Sequence, residues 1–263
     1  MIFSAERLLM VDVSAGYGAL DIIRSIALRM ERGRITTIAG PNGAGKSTVM
    51  KTLAGSLRPR QGRVIVGNRD VTSLSPPERA RAGLGYVPQE RNVFKNLTID
   101  DNLRIGFEFV RPKATPRDFI VARCRVLELF PDLTPRMKET AGTLSGGQRQ
   151  MLAMACALMP GPQILLLDEP SAGLSPPYVR RMLDAVQAVN QAGATVVMVE
   201  QNLVEAMRVS NDAVLLVAGR VEGVWSARSF LSDRNVRSLF LGDTNPDVSM
   251  RREGASRDGA SAA

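Results

Sequence analysis

ITTIAGPNGAGKST, residues 35–48, decides the fold. Its first five residues are apolar or β-branched, as in a strand covered on both faces. A glycine-rich turn follows, and VMKTLA then continues at helical spacing. Strand, glycine loop and helix in that order make a phosphate-binding loop, because the glycines let backbone N–H groups turn inward at a helix N-terminus. Gly40, Gly43 and Gly45 supply the turns, Lys46 reaches terminal phosphates, and the Ser47 hydroxyl is placed to ligate Mg²⁺. The whole loop, with Pro41, Asn42, Ala44 and Thr48, is the predicted nucleotide site. A chance glycine turn would lack the strand before it and the helix after it.

A second strand, ILLLDEP (164–170), ends in two carboxylates. Asp168 at its tip suits Mg²⁺, and Glu169 suits a general base that polarises the attacking water. Alone, an apolar strand ending in Asp-Glu is often only a strand entering a loop; beside a phosphate loop the functional reading dominates. LSGGQ (144–148) adds a further helix start, in which Ser145 caps with Gln148 at the capping-box position and Gly146 and Gly147 leave amides bare. One ATP cannot occupy two anion-seeking helix starts of the same chain. A head-to-tail dimer, each chain's LSGGQ closing over the other's nucleotide, resolves this.

Outward from these motifs, apolar runs at 8–13, 63–66, 195–199 and 213–217 read as further strands, giving an α/β class with a mostly parallel sheet. Helices are signalled by Ser75-Pro76-Pro77-Glu78 and by Thr98 with Asp101. Apolar faces follow at Phe119, Ile120, Cys124, Leu127 and Phe130, and at Val179, Met182, Leu183 and Val186. The stretch 95–160 reads as wholly helical, a lobe inserted into an α/β core of 1–94 and 161–246. The tail 247–263 is small, polar and charge-balanced, so disorder is expected there.

Composition narrows the rest. A net charge of +8 invites an acidic partner, yet the basic residues are scattered, and one Trp and three Tyr argue against nucleic acid. With no His and two Cys, a transition-metal centre is disfavoured, and Cys124 and Cys156 read as small buried hydrophobes. The uncharged run 151–167 is broken by Pro160, Gly161 and Pro162, so nothing there spans a membrane unaided.

Taken together, GPNGAGKST, Gln89 in YVPQE, LSGGQRQ, ILLLDEP, SAGLSP and VEQN, in this order over about residues 6–242, resemble an ABC transporter ATP-binding subunit. ALMPGPQILLLDEPSAGLSP, VEQN and the ending SLFLGD resemble the second ATP-binding subunit of branched-chain amino acid importers. Importers of urea and short amides share the pattern; lipid exporters and non-transport ABC ATPases on nucleic acid are alternatives.

The resemblance implies a P-loop NTPase core with an N-terminal antiparallel β part, and ATP hydrolysis with Mg²⁺. It also implies a sister ATP-binding subunit or a second copy, two membrane permeases and, indirectly, a soluble substrate-binding protein. Such a chain sits at the cytoplasmic face of the membrane, held there by the permeases. By the same resemblance Tyr17 stacks on adenine, and Gln89 touches Mg²⁺ or water and relays nucleotide state. Residues 90–110 line a groove for a permease helix, and Ser171 to Ser175 face the opposite site, ending in Ser where many members carry Asp. Where many members have a phosphate-sensing histidine this chain has Gln201, which can still donate an amide N–H. Read locally, Asn202 caps the next helix and Glu205 completes the box.

Overall fold

The strands over 35–39, 164–168 and 195–199 are buried at every position and therefore need cover on both faces. A computed structural model of the chain, described for residues 7–90, 93–233 and 236, provides it. In chain order the elements are β1 (Arg7–Tyr17), β2 (Leu20–Glu31), β3 (Ile35–Ala39), α1 (Lys46–Ala54), β4 (Gln61–Val66), β5 (Arg69–Asp70), α2 (Pro76–Arg81) and β6 (Leu84–Val87). Next come α3 (Ile99–Val110), α4 (Pro116–Leu129), α5 (Gly146–Leu158), β7 (Ile164–Asp168) and α6 (Pro176–Gln191). β8 (Thr195–Val199), α7 (Leu203–Val209), β9 (Asp212–Val217), β10 (Arg220–Ser226) and α8 (Ala227–Phe230) complete the chain.

A six-stranded sheet runs β10-β9-β3-β8-β7-β6, parallel except for β10, and a four-stranded antiparallel sheet runs β2-β1-β4-β5. Alternation divides the parallel strands between two cores. Leu165, Leu167, Val196 and Met198 join the helices α3 to α7, whereas Leu166, Val197, Val199 and Leu216 meet α1 and the antiparallel sheet. The register aligns the carboxyl ends: Val87 lies beside Leu167, Asp168 beside Val199, and Val199 beside Ile38. Everything that follows β3, β6, β7 and β8 therefore emerges along one edge.

Between β6 and β7 the regular elements among the described residues are helices, joined by turns and by one isolated bridge, Thr98 to Thr140. α3 and α5 cross closely at Gly106, where a Cβ would lie 2.9 Å from the Cys156 carbonyl. Two expectations about α4 need correction. Its buried face is Phe119, Ala122 and Val126, while Ile120 and Cys124 point outward. The i, i+3, i+7 stripe wins because Ala122 fits against neighbours where Ile120 would not fall in line. Cys124 is thus exposed rather than a core residue, and Cys156 is half-buried. The tail 247–263 and the SLFLGD ending lie outside the described residues.

Arg79 ties α1 down. It is 1% exposed, on α2, and donates to the carbonyls of Thr52 (2.8 Å), Leu53 (2.6 Å), Leu74 (3.2 Å) and Thr72 (3.2 Å). The first two are last-turn carbonyls of α1, where a cation also suits the helix dipole. Burial pushes its pKa down to about 10, which still leaves it charged near neutrality. Arg79→Ala removes four hydrogen bonds, two of them to buried carbonyls, and should lower unfolding free energy by about 3 kcal/mol in a denaturant titration. A loss within error would show that these carbonyls find other partners.

Candidate nucleotide site

The loop after β3 is shaped by backbone approach. A Cβ on Gly40 would stand 2.1 Å from the Leu216 carbonyl of β9, and Gly45, the N-cap of α1, has φ of 100°. Ala44 N bonds back to Pro41 O at 3.2 Å, and Gly219 N reaches Ala44 O at 3.0 Å. Lys46 is buried under this loop, and its ammonium donates to the carbonyls of Gly40 (2.8 Å) and Pro41 (3.0 Å). Burial lowers the Lys46 pKa, and the charges of Glu169 and Asp168 work against that.

Ser47 Oγ donates to Asp168 Oδ1 at 3.2 Å, so the helix start and the β7 tip meet. Burial raises the Asp168 pKa, the Ser47 bond lowers it, and Glu169 raises it again. Glu169 follows in the left-handed region, φ 51°, which costs a non-glycine residue roughly 1–2 kcal/mol. Its Oε2 accepts from Gln89 Nε2 at 2.8 Å and from Gln201 Nε2 at 2.7 Å. One carboxylate oxygen therefore holds amides that emerge from β6 and β8, on either side of its own strand. Gln201 thus bonds to Glu169 as well as preceding the cap of α7.

Tyr17 sits exposed at the β1–β2 turn, with Lys51 Nζ 3.4 Å from its hydroxyl and 5.8 Å from the ring centroid. Ser145, Gly146, Gly147 and Gln148 open α5 as expected, with the capping box formed. Gln148 Oε1 also accepts from Arg136 at 2.7 Å. Among the described residues no hydrogen bond joins these four to the loop 40–48 or to Asp168 and Glu169. Asn202 caps α7 by accepting from Glu205 N at 3.4 Å, but Glu205 does not close the box; its carboxylate turns to Arg208 at 3.0 Å.

Three neighbours went unread in the sequence. Lys51, one helical turn beyond Ser47, adds positive charge at Asp168. Tyr86 on β6 carries a buried phenol whose pKa burial and then the Asp168 charge push up. Glu200, beside Gln201, is buried against Ser171. Lys51 falls at i+4 from Ser47 and so was within reach of spacing alone, whereas Tyr86 nears Asp168 only through the pairing of β6 with β7. Beside the site, a groove of about 880 Å³ runs between β6 with its Pro88 end, α3 at Asn102, Ile105 and Gly106, and Pro160 to Gln163. It shares residues with the stretch 90–110 expected to form a groove, of which 91 and 92 lie outside the described residues.

Solved structures first define the class. The ADP conformation of an ATP-binding cassette of an ABC transporter superposes with TM-score 0.80 at 25% identity, covering 91% of this chain and 100% of that one. A dimeric bacterial ABC transporter cassette gives TM-score 0.76 at 25% identity, covering 85% and 100%. The fold is that of an ABC-type P-loop ATPase.

A family model described as ABC transporter matches residues 23–172. The chain is 40% identical over 233 residues, 88% of it and 97% of the relative, to the probable branched-chain amino acid transport ATP-binding protein LivF of Archaeoglobus fulgidus. It is 36% identical over 230 residues, 88% and 97%, to the high-affinity branched-chain amino acid transport ATP-binding protein BraG of Pseudomonas aeruginosa. It is 33% identical over 241 residues, 91% and 98%, to the lipopolysaccharide export system ATP-binding protein LptB of Acidithiobacillus ferridurans. The chain belongs to the ABC transporter family, as an ATP-binding and ATP-hydrolysing subunit. Among the described residues no helix is long and apolar enough to cross a membrane.

The tight seat of Gly40 against β9 gives a direct test. Gly40→Ala must push the loop off Leu216, an overpacking of about 1–3 kcal/mol. ATP affinity should fall by about tenfold or more in a nucleotide titration. Unchanged affinity would mean that the loop's seat does not set nucleotide binding.

Proposed function

We propose that this chain powers a branched-chain amino acid importer, hydrolysing ATP at the edge where β3, β6, β7 and β8 end. The observation that carries the catalytic reading is the Glu169 carboxylate, gripped by two amides beside Lys46. Lys46 exchanges the carbonyls of Gly40 and Pro41 for the terminal phosphate oxygens of ATP, and the loop amides with the α1 dipole take the rest of the phosphate charge. Glu169 accepts a proton from water as the water oxygen attacks the terminal phosphorus and the bond to ADP breaks. Gln201 and Gln89 orient the carboxylate and the water. An adenine ring stacks on exposed Tyr17.

Ser47, Asp168 and the Gln89 amide oxygen are hard oxygen donors, too few for a protein-built cage, which fits Mg²⁺ held jointly with phosphates and waters. Bound there, Mg²⁺ would neutralise phosphate charge during transfer. The exposed start of α5 at Ser145 to Gln148 caps the nucleotide of a second subunit, either a sister chain or another copy. The groove beside Gln89, with exposed Phe94 and Ile105, receives a permease helix, so Gln89 links nucleotide state to the membrane. The cargo rests on the two branched-chain relatives; 33% identity to the lipopolysaccharide exporter keeps lipid export as a second reading. Turnover by the complex with its permeases and binding protein decides: stimulation by leucine supports import, and stimulation by lipopolysaccharide alone overturns it.

For catalysis, Glu169→Gln should bind ATP normally and lose about 100-fold or more in turnover. Gln201→Ala should lose about tenfold, since a neutral donor is removed. Full turnover in Gln201→Ala would remove the sensor role.

A further inference from the structure

Glu200 follows directly on β8, between Val199 and Gln201, and is 3% exposed. Both of its oxygens accept from Ser171 of another loop, and the backbone of Gln201 adds a further bond. Oε1 accepts from Ser171 N at 2.9 Å, and Oε2 from the Ser171 hydroxyl at 2.6 Å. No ion pair reaches it among the described residues. A carboxylate buried with no cation is costly to keep, and burial pushes its pKa up against the pull of the Ser171 bonds.

What Ser171 belongs to makes sense of that cost. Residues 169–172 form a tight turn, in which Ala172 N donates to Glu169 O at 3.1 Å. At the turn's start Glu169 N donates to Val199 O at 3.0 Å, and the residue is held at φ 51°, a region that favours glycine. A strand end left free would relax out of that conformation and re-aim its side chain. The turn is tied to β8 at two points: by Val199 O at its front, and by Glu200 through Ser171 near its back.

We propose that Glu200 is a positioning residue for hydrolysis. By clamping Ser171 it keeps the turn against β8 and holds Glu169 in the left-handed backbone that aims its carboxylate at Gln89 and Gln201. The inference rests on the reading of Glu169 as the base. Its reach is specific, because the phosphate loop is tied elsewhere, through Gly40 at Leu216 and Ala44 at Gly219. Loss of the clamp misaims the base and leaves the nucleotide seat alone.

Turnover and ATP affinity of the full chain, measured for Glu200→Ala, Glu200→Gln, Ser171→Ala and Glu169→Gln, test this. Glu200→Ala should lower kcat by about tenfold or more with KM and ATP affinity within about twofold. Glu200→Gln should recover most of kcat, since its amide can accept from Ser171 N and donate to Ser171 Oγ. Ser171→Ala, which loses only the hydroxyl bond, should lose several-fold in kcat, and it decides the matter if Glu200→Ala does not fold. Unchanged kcat in the Ala variants, or kcat and affinity falling together, overturns the clamp, as does a Gln variant no better than Ala. If Glu169→Gln still hydrolyses ATP, the base reading itself fails; if it is dead while Glu200→Ala is active, only the clamp does.

Discussion

One carboxylate oxygen joins three strand ends. Glu169 Oε2 accepts from Gln89 after β6 and Gln201 after β8, and each bond needs the parallel register that sets Val87 beside Leu167 and Asp168 beside Val199. A shift of one residue along any of these strands would turn a donor away from the oxygen and flip its apolar residues between the two cores. The apolar burial that fixes register is therefore also what assembles the site. Bonds to a charged acceptor are the stronger kind, which suits amides that stand largely exposed.

Charge around this oxygen is balanced rather than strongly biased. Lys46 is buried, and burial favours its neutral form, but Asp168 and Glu169 lie close enough to oppose that. Asp168 in turn is pushed up by burial and by Glu169, and relieved by Ser47, Lys51 and Lys46. Arg79 secures the far end of α1, so the helix whose start carries Lys46 and Ser47 cannot slide freely. The strained φ of Glu169 is concentrated where the chemistry is proposed, as strain in functional loops commonly is.

Much of the site was legible because its residues sit where strands stop and helices start, and glycine, carboxylate and cap residues mark those places. The parallel strands β3, β7, β8 and β9 were legible because each is built on an uninterrupted apolar run. β2 was not. Its buried residues Ile23, Ile26, Leu28 and Met30 break period two at a bulge where Ser25 has φ 48°, and the gap of three imitates a helix. β1 was read short of its Tyr17 end for a similar reason, a register break near Asp12, also at φ 48°. β6 was hidden by its four-residue length and Gly85, and β10 by Gly223 and its largely exposed, polar positions. On α4 the large residues Ile120 and Cys124 outweighed the small Ala122 that is buried. The roles of Tyr86 and Glu200 depend on contacts across the fold, which local pattern does not carry.

The most direct measurement is a double-mutant cycle on ATP turnover, with Gln89→Ala, Gln201→Ala and the pair. Shared grip on one oxygen predicts strong coupling, the double variant losing clearly less or more than the product of the single losses. Losses that simply multiply, each amide acting as though the other were absent, would contradict a carboxylate held jointly from β6 and β8.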